Sequence, residues 1–313
     1  MPEQKRDAPE ERQGMLDSAA QTSDPLPLLR FALVVGADPQ VTEVLLNVLK
    51  PEEWVVMPAR DNQTVLRLVE EKPYALIVTG AKTTGREDVE LLRKIRLVRP
   101  HTRLIILTDE ATPADVIASM RERAFSYFSK PISPQSLAEI VRLAAVEPAW
   151  DDGIEVMSAT AQWISIIARC DKATADRLTQ FFQEISDLPQ PEREDVATAF
   201  REMLLNAIEH GGNFDPQQFV EISYVRTTKM IVCRIKDPGQ GFSMEEAHHA
   251  AVNNPVYAPI RHALFREAQG LRPGGYGILM ARHLVDELLF AERGNEVLLV
   301  KYLRSRDAQQ LLG

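Results

Sequence analysis

At 313 residues the chain has room for two ordinary domains, each able to bury a core of its own. With 45% hydrophobic and 26% charged residues it is globular in composition, and a formal charge of −9 excludes the broad cationic surface that nucleic acid or an anionic membrane requires. The two cysteines, Cys170 and Cys233, lie in different segments and offer neither a disulfide framework nor a C-x-x-C metal or redox motif. The opening MPEQKRDAPEERQG lacks a signal-peptide core, and no later apolar run is long enough for a bilayer. A cytoplasmic protein without membrane contact is expected.

Residues 1–28 are rich in charged and polar residues and in proline, and read as a flexible tail. From Phe31 a regular alternation begins. FALVV (31–35), WVVM (54–57), YALIV (74–78), RLIIL (103–107) and FSYF (125–128) are apolar runs of strand length, separated by helical periodicity over 39–50, 61–71, 87–98, 112–122 and 134–145. Asp38-Pro39, Thr112-Pro113 and Ser133-Pro134 each place a capping side chain before a proline that suits the first helical turn. Five strands alternating with five helices predict a parallel sheet covered on both faces, spanning 29–147.

The pattern changes near Glu147-Pro148, where a second domain, 148–313, is expected to begin. A strand (154–159) precedes a long helical stretch (160–187) and a second helix (193–210). The strands FVEISYV (219–225) and MIVCRIKD (230–237) follow, then a helix (275–287) and strands at 288–292 and 296–303. Early helices beside late hairpins predict an α+β sandwich.

Three features of this half carry chemistry. On the helix 193–210, Val196, Phe200, Met203, Leu204, Ala207 and Ile208 mark a buried face, while Glu202, Asn206 and His210 stack on a neighbouring strip. A carboxylate and an amide one turn apart can serve a hydroxyl proton and a metal ion; a polar helix face is the plainer alternative. DPGQGF (237–242) follows a strand, so Asp237 can accept from an exocyclic amine while Gly239 and Gly241 admit a flat ligand; alternatively it is a tight turn. In RPGGYGILMARHL (272–284) the glycines 274, 275 and 277 run into an apolar helix, a geometry that presents N–H donors to phosphates.

In this order the three segments resemble the nucleotide boxes of the GHKL (Bergerat-fold) ATPases, and NAIEHG with GGYGILMARHLVDEL is most similar to the anti-sigma-factor serine kinases. The resemblance covers about residues 154–303 and implies binding of ATP with Mg²⁺. It implies Glu202 as general base toward a protein hydroxyl and Asn206 as the Mg²⁺ ligand. Asp237 would read the adenine amine between Gly239 and Gly241, and Gly274, Gly275, Gly277 and Ile278 would line the phosphates. Residues 243–273 would form a lid, with Arg261, Arg266 or Arg272 reaching the γ-phosphate. The implied partner is a STAS-like anti-anti-sigma protein, or a sigma factor.

Two alternatives stand beside this. Histidine kinases share the fold but carry a phosphoacceptor histidine on a helix before the ATP domain, and the expected helix 160–187 contains none. A histidine-kinase-like remnant, or a non-catalytic scaffold gated by ATP, are the other readings.

The N-terminal half, with LTDEA at 107–111 and YFSKP at 127–131, resembles the flavodoxin-like receiver domain of response regulators. The resemblance makes Thr108, Tyr127 and Lys130 remnants of that site. The acids are missing: Gly36 and Ala37 follow the first strand, Asp38 is more simply a helix cap, and Thr79 stands at the phosphoacceptor position. A pseudo-receiver that cannot form an aspartyl phosphate is expected. Its use is then interaction: homodimerisation, or docking of a partner that controls the ATP half.

Overall fold

The structure, a computed structural model, describes residues 29–80, 84–109, 111–146, 153–160, 162–241, 254, 258, 260–268 and 275–303. The expected tail 1–28, the boundary at Glu147-Pro148, most of the expected lid, Arg272 and Gly274 lie outside them, as does the side chain of Arg266.

The first half builds β1 (Arg30–Val35), α1 (Pro39–Val48), β2 (Trp54–Ala59), α2 (Asn62–Glu71), β3 (Leu76–Val78), α3 (Gly85–Val98), β4 (Arg103–Thr108), α4 (Pro113–Arg121), β5 (Ser126–Ser129) and α5 (Pro134–Ala145). The strands form one parallel sheet in the order β2-β1-β3-β4-β5, the flavodoxin-like arrangement. Alternation decides which layer each residue joins. Ala32 and Val34 pack with Val41, Leu45, Leu137 and Val141 of α1 and α5. Leu33 and Val35 face the other way, onto Val65, Val69, Leu92 and Ile95 of α2 and α3. Both faces are buried, which is why these strands read as unbroken apolar runs. Each valine, leucine or isoleucine among them contributes about 1.5–3 kcal/mol on leaving water. The caps form as expected: Asp38, Thr112 and Ser133 accept from the first turns of α1, α4 and α5.

The second half contains β6 (Ile154–Thr160), β7 (Trp163–Arg169), α6 (Lys172–Ser186), α7 (Glu192–Asn206), β8 (Phe219–Arg226), β9 (Met230–Lys236), α8 (Arg261–Ala268), α9 (Gly277–Leu284), β10 (Glu287–Phe290) and β11 (Glu296–Tyr302). Its six strands form an antiparallel sheet, β10-β11-β9-β8-β7-β6, with α6, α7 and α9 packed on one face. This is a two-layer α+β sandwich.

One expectation is corrected here. Residues 163–169 belong to a strand, not to a helix over 160–187. Ile164, Ile166 and Ala168 point into the core while their neighbours face outward, and β7 pairs with both β6 and β8. The β-branched isoleucines favour the pleated surface, and the helix begins only where Asp171 accepts the Thr174 N–H at 2.7 Å. The shortened α6 still contains no histidine.

The helix expected over 193–210 also changes character. After Asn206 it widens into one π-helical turn, Ala207–Gly211, closed by the Gly212 N–H to the Ala207 carbonyl at 3.0 Å. Such turns displace the backbone sideways and recur at functional sites. Here the displacement sets Gly212 against the Cys170 sulfur and Gly211 against Asp237.

Candidate nucleotide-binding site

Glu202 and Asn206 lie one turn apart on the half-buried strip of α7. Facing them is the start of α9. A Cβ built on Gly277 would stand 2.7 Å from Glu202 Oε2 and 3.6 Å from Asn206 Nδ2, so the first and third motifs meet at this glycine. Gly275 takes a φ of +92°, a conformation that suits a residue without Cβ. Tyr276, at the N-cap of α9, makes no side-chain capping bond, and among the described residues the first-turn N–H groups are directed outward from the helix end. Ile278 is buried beneath that turn.

The second motif closes on the first from the other side. Asp237 follows β9, its N–H donating to the Asn295 carbonyl at 3.0 Å. Its Oδ1 accepts the Gly239 N–H at 2.8 Å, which shapes the turn. Gly211 lies so close that a Cβ there would overlap the Asp237 carboxylate and its Cβ. A Cβ on Gly239 would be 2.9 Å from the Gly211 Cα. Gly241, at φ +86°, leaves no room for a Cβ beside the Arg293 carbonyl. Burial pushes the Asp237 carboxyl above its ordinary range, against the opposing pull of the Gly239 N–H and of His210. Burial, with Asp237, Asp171 and Asp215 nearby, likewise pushes the neighbouring Cys170 thiol up to about 11, so it stays protonated.

Three residues that the sequence did not single out, His262, Asn254 and Tyr276, pack together beside the start of α9. His262 of α8 is buried; its N–H donates to Asn254 Oδ1 at 2.9 Å, and its ring meets Tyr276 edge-on at 4.4 Å. That contact ties α8 to the residue just before α9. No spacing marked it, because the link bridges 14 residues of chain. Arg261, at the start of α8, is exposed.

The donor set bears on the metal. Glu202 and Asn206 offer one carboxylate and one amide oxygen, and among the described residues no three His, Cys, Asp or Glu side chains gather as a metal cage. Such a pair suits Mg²⁺, which keeps several waters and is commonly shared between one or two side chains and a phosphate.

Residues 168–301 match the histidine kinase-like ATPase domain, and residues 32–142 the response regulator receiver domain. The anti-sigma F factor of Geobacillus sp. (strain WCH70) is 30% identical over 126 residues, which is 39% of this chain and 77% of that protein. The chain belongs to the anti-sigma F factor family through its ATPase half. In front of that half stands a receiver domain. There the transcriptional regulatory protein GlrR of Escherichia coli (strain K12) is 25% identical over 122 residues, 38% of this chain. The chain spans only 28% of GlrR's own length. A CheY-like receiver domain protein from Methanospirillum hungatei JF-1 is 26% identical, covering 37% of this chain and 92% of that one, with a TM-score of 0.32. The chain thus joins a receiver domain to a kinase-like ATPase domain. Among the described residues no helix is long and apolar enough to cross a membrane.

In the receiver half, the residues expected as site remnants are held by neighbours within the domain. Thr79 is fully buried, and its hydroxyl accepts the Leu107 N–H at 2.9 Å while donating to the Leu107 carbonyl at 3.3 Å. Asp38 accepts from Gln40 N and Val41 N at the head of α1. Lys130 Nζ reaches Asp38 at 3.3 Å and Asp109 at 3.7 Å. Thr108 is buried at the end of β4, where its carbonyl takes the Lys130 N–H. Tyr127 is turned fully inward with its hydroxyl against Gly85, and burial, then Asp115, raises its phenol far above the ordinary range.

Proposed function

We propose that this protein is an ATP-dependent kinase that phosphorylates a serine or threonine of a STAS-like anti-anti-sigma partner, switching that partner's associations. The observation that supports it best is the meeting of Glu202, Asn206 and Gly277, a base, an amide and a helix start in one place. In this reading Asp237 accepts the adenine amine, with Gly239 and Gly241 leaving room for the ring. Gly274, Gly275, Gly277 and Ile278 shape the phosphate subsite, where uncapped N–H groups at the start of α9 meet negative charge. Asn206, with Glu202 beside it, holds Mg²⁺, which when bound neutralises phosphate charge.

Glu202 takes the proton of the partner's hydroxyl as that oxygen bonds to the γ-phosphorus and the bond to ADP breaks. Little covalent work is asked of the protein, so positioning carries the rate. One of Arg261, Arg266 and Arg272 adds positive charge from the lid side. The receiver domain, with Thr79 in place of a carboxylate, works by contact rather than by aspartyl phosphate.

The decisive experiment incubates the protein with labelled ATP and a candidate STAS protein. Label should appear on a serine or threonine of the partner and fall at least about 100-fold in Glu202→Ala. Transfer that survives this substitution defeats the assignment of the base. ATP binding without transfer to any STAS protein favours a nucleotide-gated scaffold instead.

A further inference from the structure

Among the described residues the strand β5 is an edge of the receiver sheet and pairs with β4 alone. An edge strand leaves every second residue's N–H and C=O without a partner in the sheet, and natural folds cover or blunt such edges. Here a helix of the ATPase half covers it. Arg177 Nε of α6 donates to the Phe125 carbonyl at 2.9 Å, and Gln180 Nε2 donates to the Tyr127 carbonyl at 3.1 Å. Glu184 accepts from Ser129 twice, from its N–H at 3.1 Å and from its hydroxyl at 2.6 Å.

The spacing explains the match. Residues 177, 180 and 184 share one face of a helix, while 125, 127 and 129 share one edge of a strand. Seven helical residues rise about 10 Å. Four strand residues rise about 13 Å. Three long side chains bridge that difference. Arg177 also lies over the Phe125 ring at 4.2 Å. All three α6 side chains are at least nine-tenths buried. Burying an arginine and a glutamate is costly unless each finds such partners, so this face of α6 is built for a strand edge in this register.

Other α6 side chains reach the helix that carries the nucleotide-site residues. Phe182 stacks on Phe200 of α7 with ring centroids 4.2 Å apart and planes within 3°. Asp176 holds Arg201 of α7 at 2.8 Å. Phe200 and Arg201 are the two residues before Glu202. On the receiver side, Ser129 is followed directly by Lys130, which pairs with Asp38 and Asp109.

We propose that the receiver domain is a clamp acting in cis. Its β5 edge, gripped by Arg177, Gln180 and Glu184, fixes α6 and through it the α7 register that sets Glu202 and Asn206 against Gly277. The proposal rests on the reading of α7 as the nucleotide helix. Ser129 and Glu184 are positioning residues, and a partner that binds around Lys130 acts one residue from the grip. The connection from the end of α5 at Ala145 to the start of β6 at Ile154 is short, so the docking partner is the chain's own receiver at high effective concentration.

The test uses the full chain in three variants: Glu184→Ala, Glu184→Gln, and Ser129→Ala, which leaves the core untouched. Amide hydrogen exchange is followed at 126–129 and at 200–206 without nucleotide, and the affinity for a fluorescent ATP analogue is measured separately. Glu184→Ala should speed exchange at Ser129 by about tenfold or more, raise it at 200–206 as well, and weaken analogue binding about three- to tenfold. Ser129→Ala should move the same readouts in the same direction, by less. Glu184→Gln should stay near wild type, because its amide oxygen accepts the Ser129 N–H and its amide nitrogen donates to the hydroxyl. If 126–129 loosens while 200–206 and the affinity match wild type, the clamp does not reach α7 and the proposal fails. It fails equally if neither Glu184→Ala nor Ser129→Ala changes exchange at Ser129. A wild type that binds no analogue overturns the nucleotide reading alone, since the exchange measurements still decide the clamp.

Discussion

Gly277 stands against Glu202 such that a single added methyl would come within 2.7 Å of the carboxylate oxygen. That atom is the far end of a flexible side chain, so the fold can yield where the chemistry cannot. Gly277→Ala should leave thermal stability within about 1 kcal/mol, alanine being the better helix former. Transfer to the partner should fall by an order of magnitude or more, on the order of 1.4 kcal/mol, as Glu202 is pushed from its place. Thermal unfolding and a labelled-ATP assay on the same preparation separate the two effects.

Asp237 sets stability and function against each other. Its folded-state pKa is raised by burial. The folded protein therefore holds the proton more tightly than the unfolded chain. As pH rises from the unfolded value through the folded one, ionisation costs stability; the loss is complete above that window. In the proposed reading the ionised form accepts the adenine amine. Asp237→Asn keeps an oxygen for the Gly239 N–H, so it should match or exceed the wild type in stability at neutral pH yet lose nucleotide affinity at least tenfold. Wild-type affinity should begin to fall on acidification at a pH above the ordinary aspartate range. Titration calorimetry across pH tests both statements.

Thr79, which the proposed reading sets at the phosphoacceptor position, commits its hydroxyl to both polar groups of Leu107. Thr79→Val keeps the shape but leaves that buried N–H without its acceptor. A loss of about 1–3 kcal/mol in denaturant unfolding is expected. Incubating the wild type with a small-molecule phosphodonor should add no acid-labile phosphate to the receiver, as intact-mass measurement would show.

Phe182 and Phe200 join α6 to α7 by a parallel stack, with Tyr224 edge-on to Phe182 at 5.8 Å. Phe200→Ala should cost about 3–5 kcal/mol through the cavity it opens. Phe200→Leu retains most of the volume and should cost clearly less. A ratio near one in chemical denaturation would mean that the aromatic stack itself, and not the volume it fills, carries the stability.

Much of this was legible in the amino-acid order, for a physical reason. Parallel strands buried on both faces read as unbroken apolar runs, helix starts declare themselves by Asp38-Pro39 and Ser133-Pro134, and glycines that must admit close backbone are visible wherever they stand. Hence the five-fold alternation, the two fold classes and the three nucleotide motifs could be read along the chain. WISIIAR could not be resolved that way: a short apolar run fits strand and helix alike until a neighbour supplies the pairing, and β6 and β8 supply it. Only the tertiary structure brought Gly277 to Glu202 and Gly211 to Asp237, because distances across 75 and 26 positions are not written in any local period. It also decided the fate of Arg177, Gln180 and Glu184. By residue type alone these belong on a solvated helix face; the edge of β5, more than 50 positions earlier in the chain, buries them and gives each its partner.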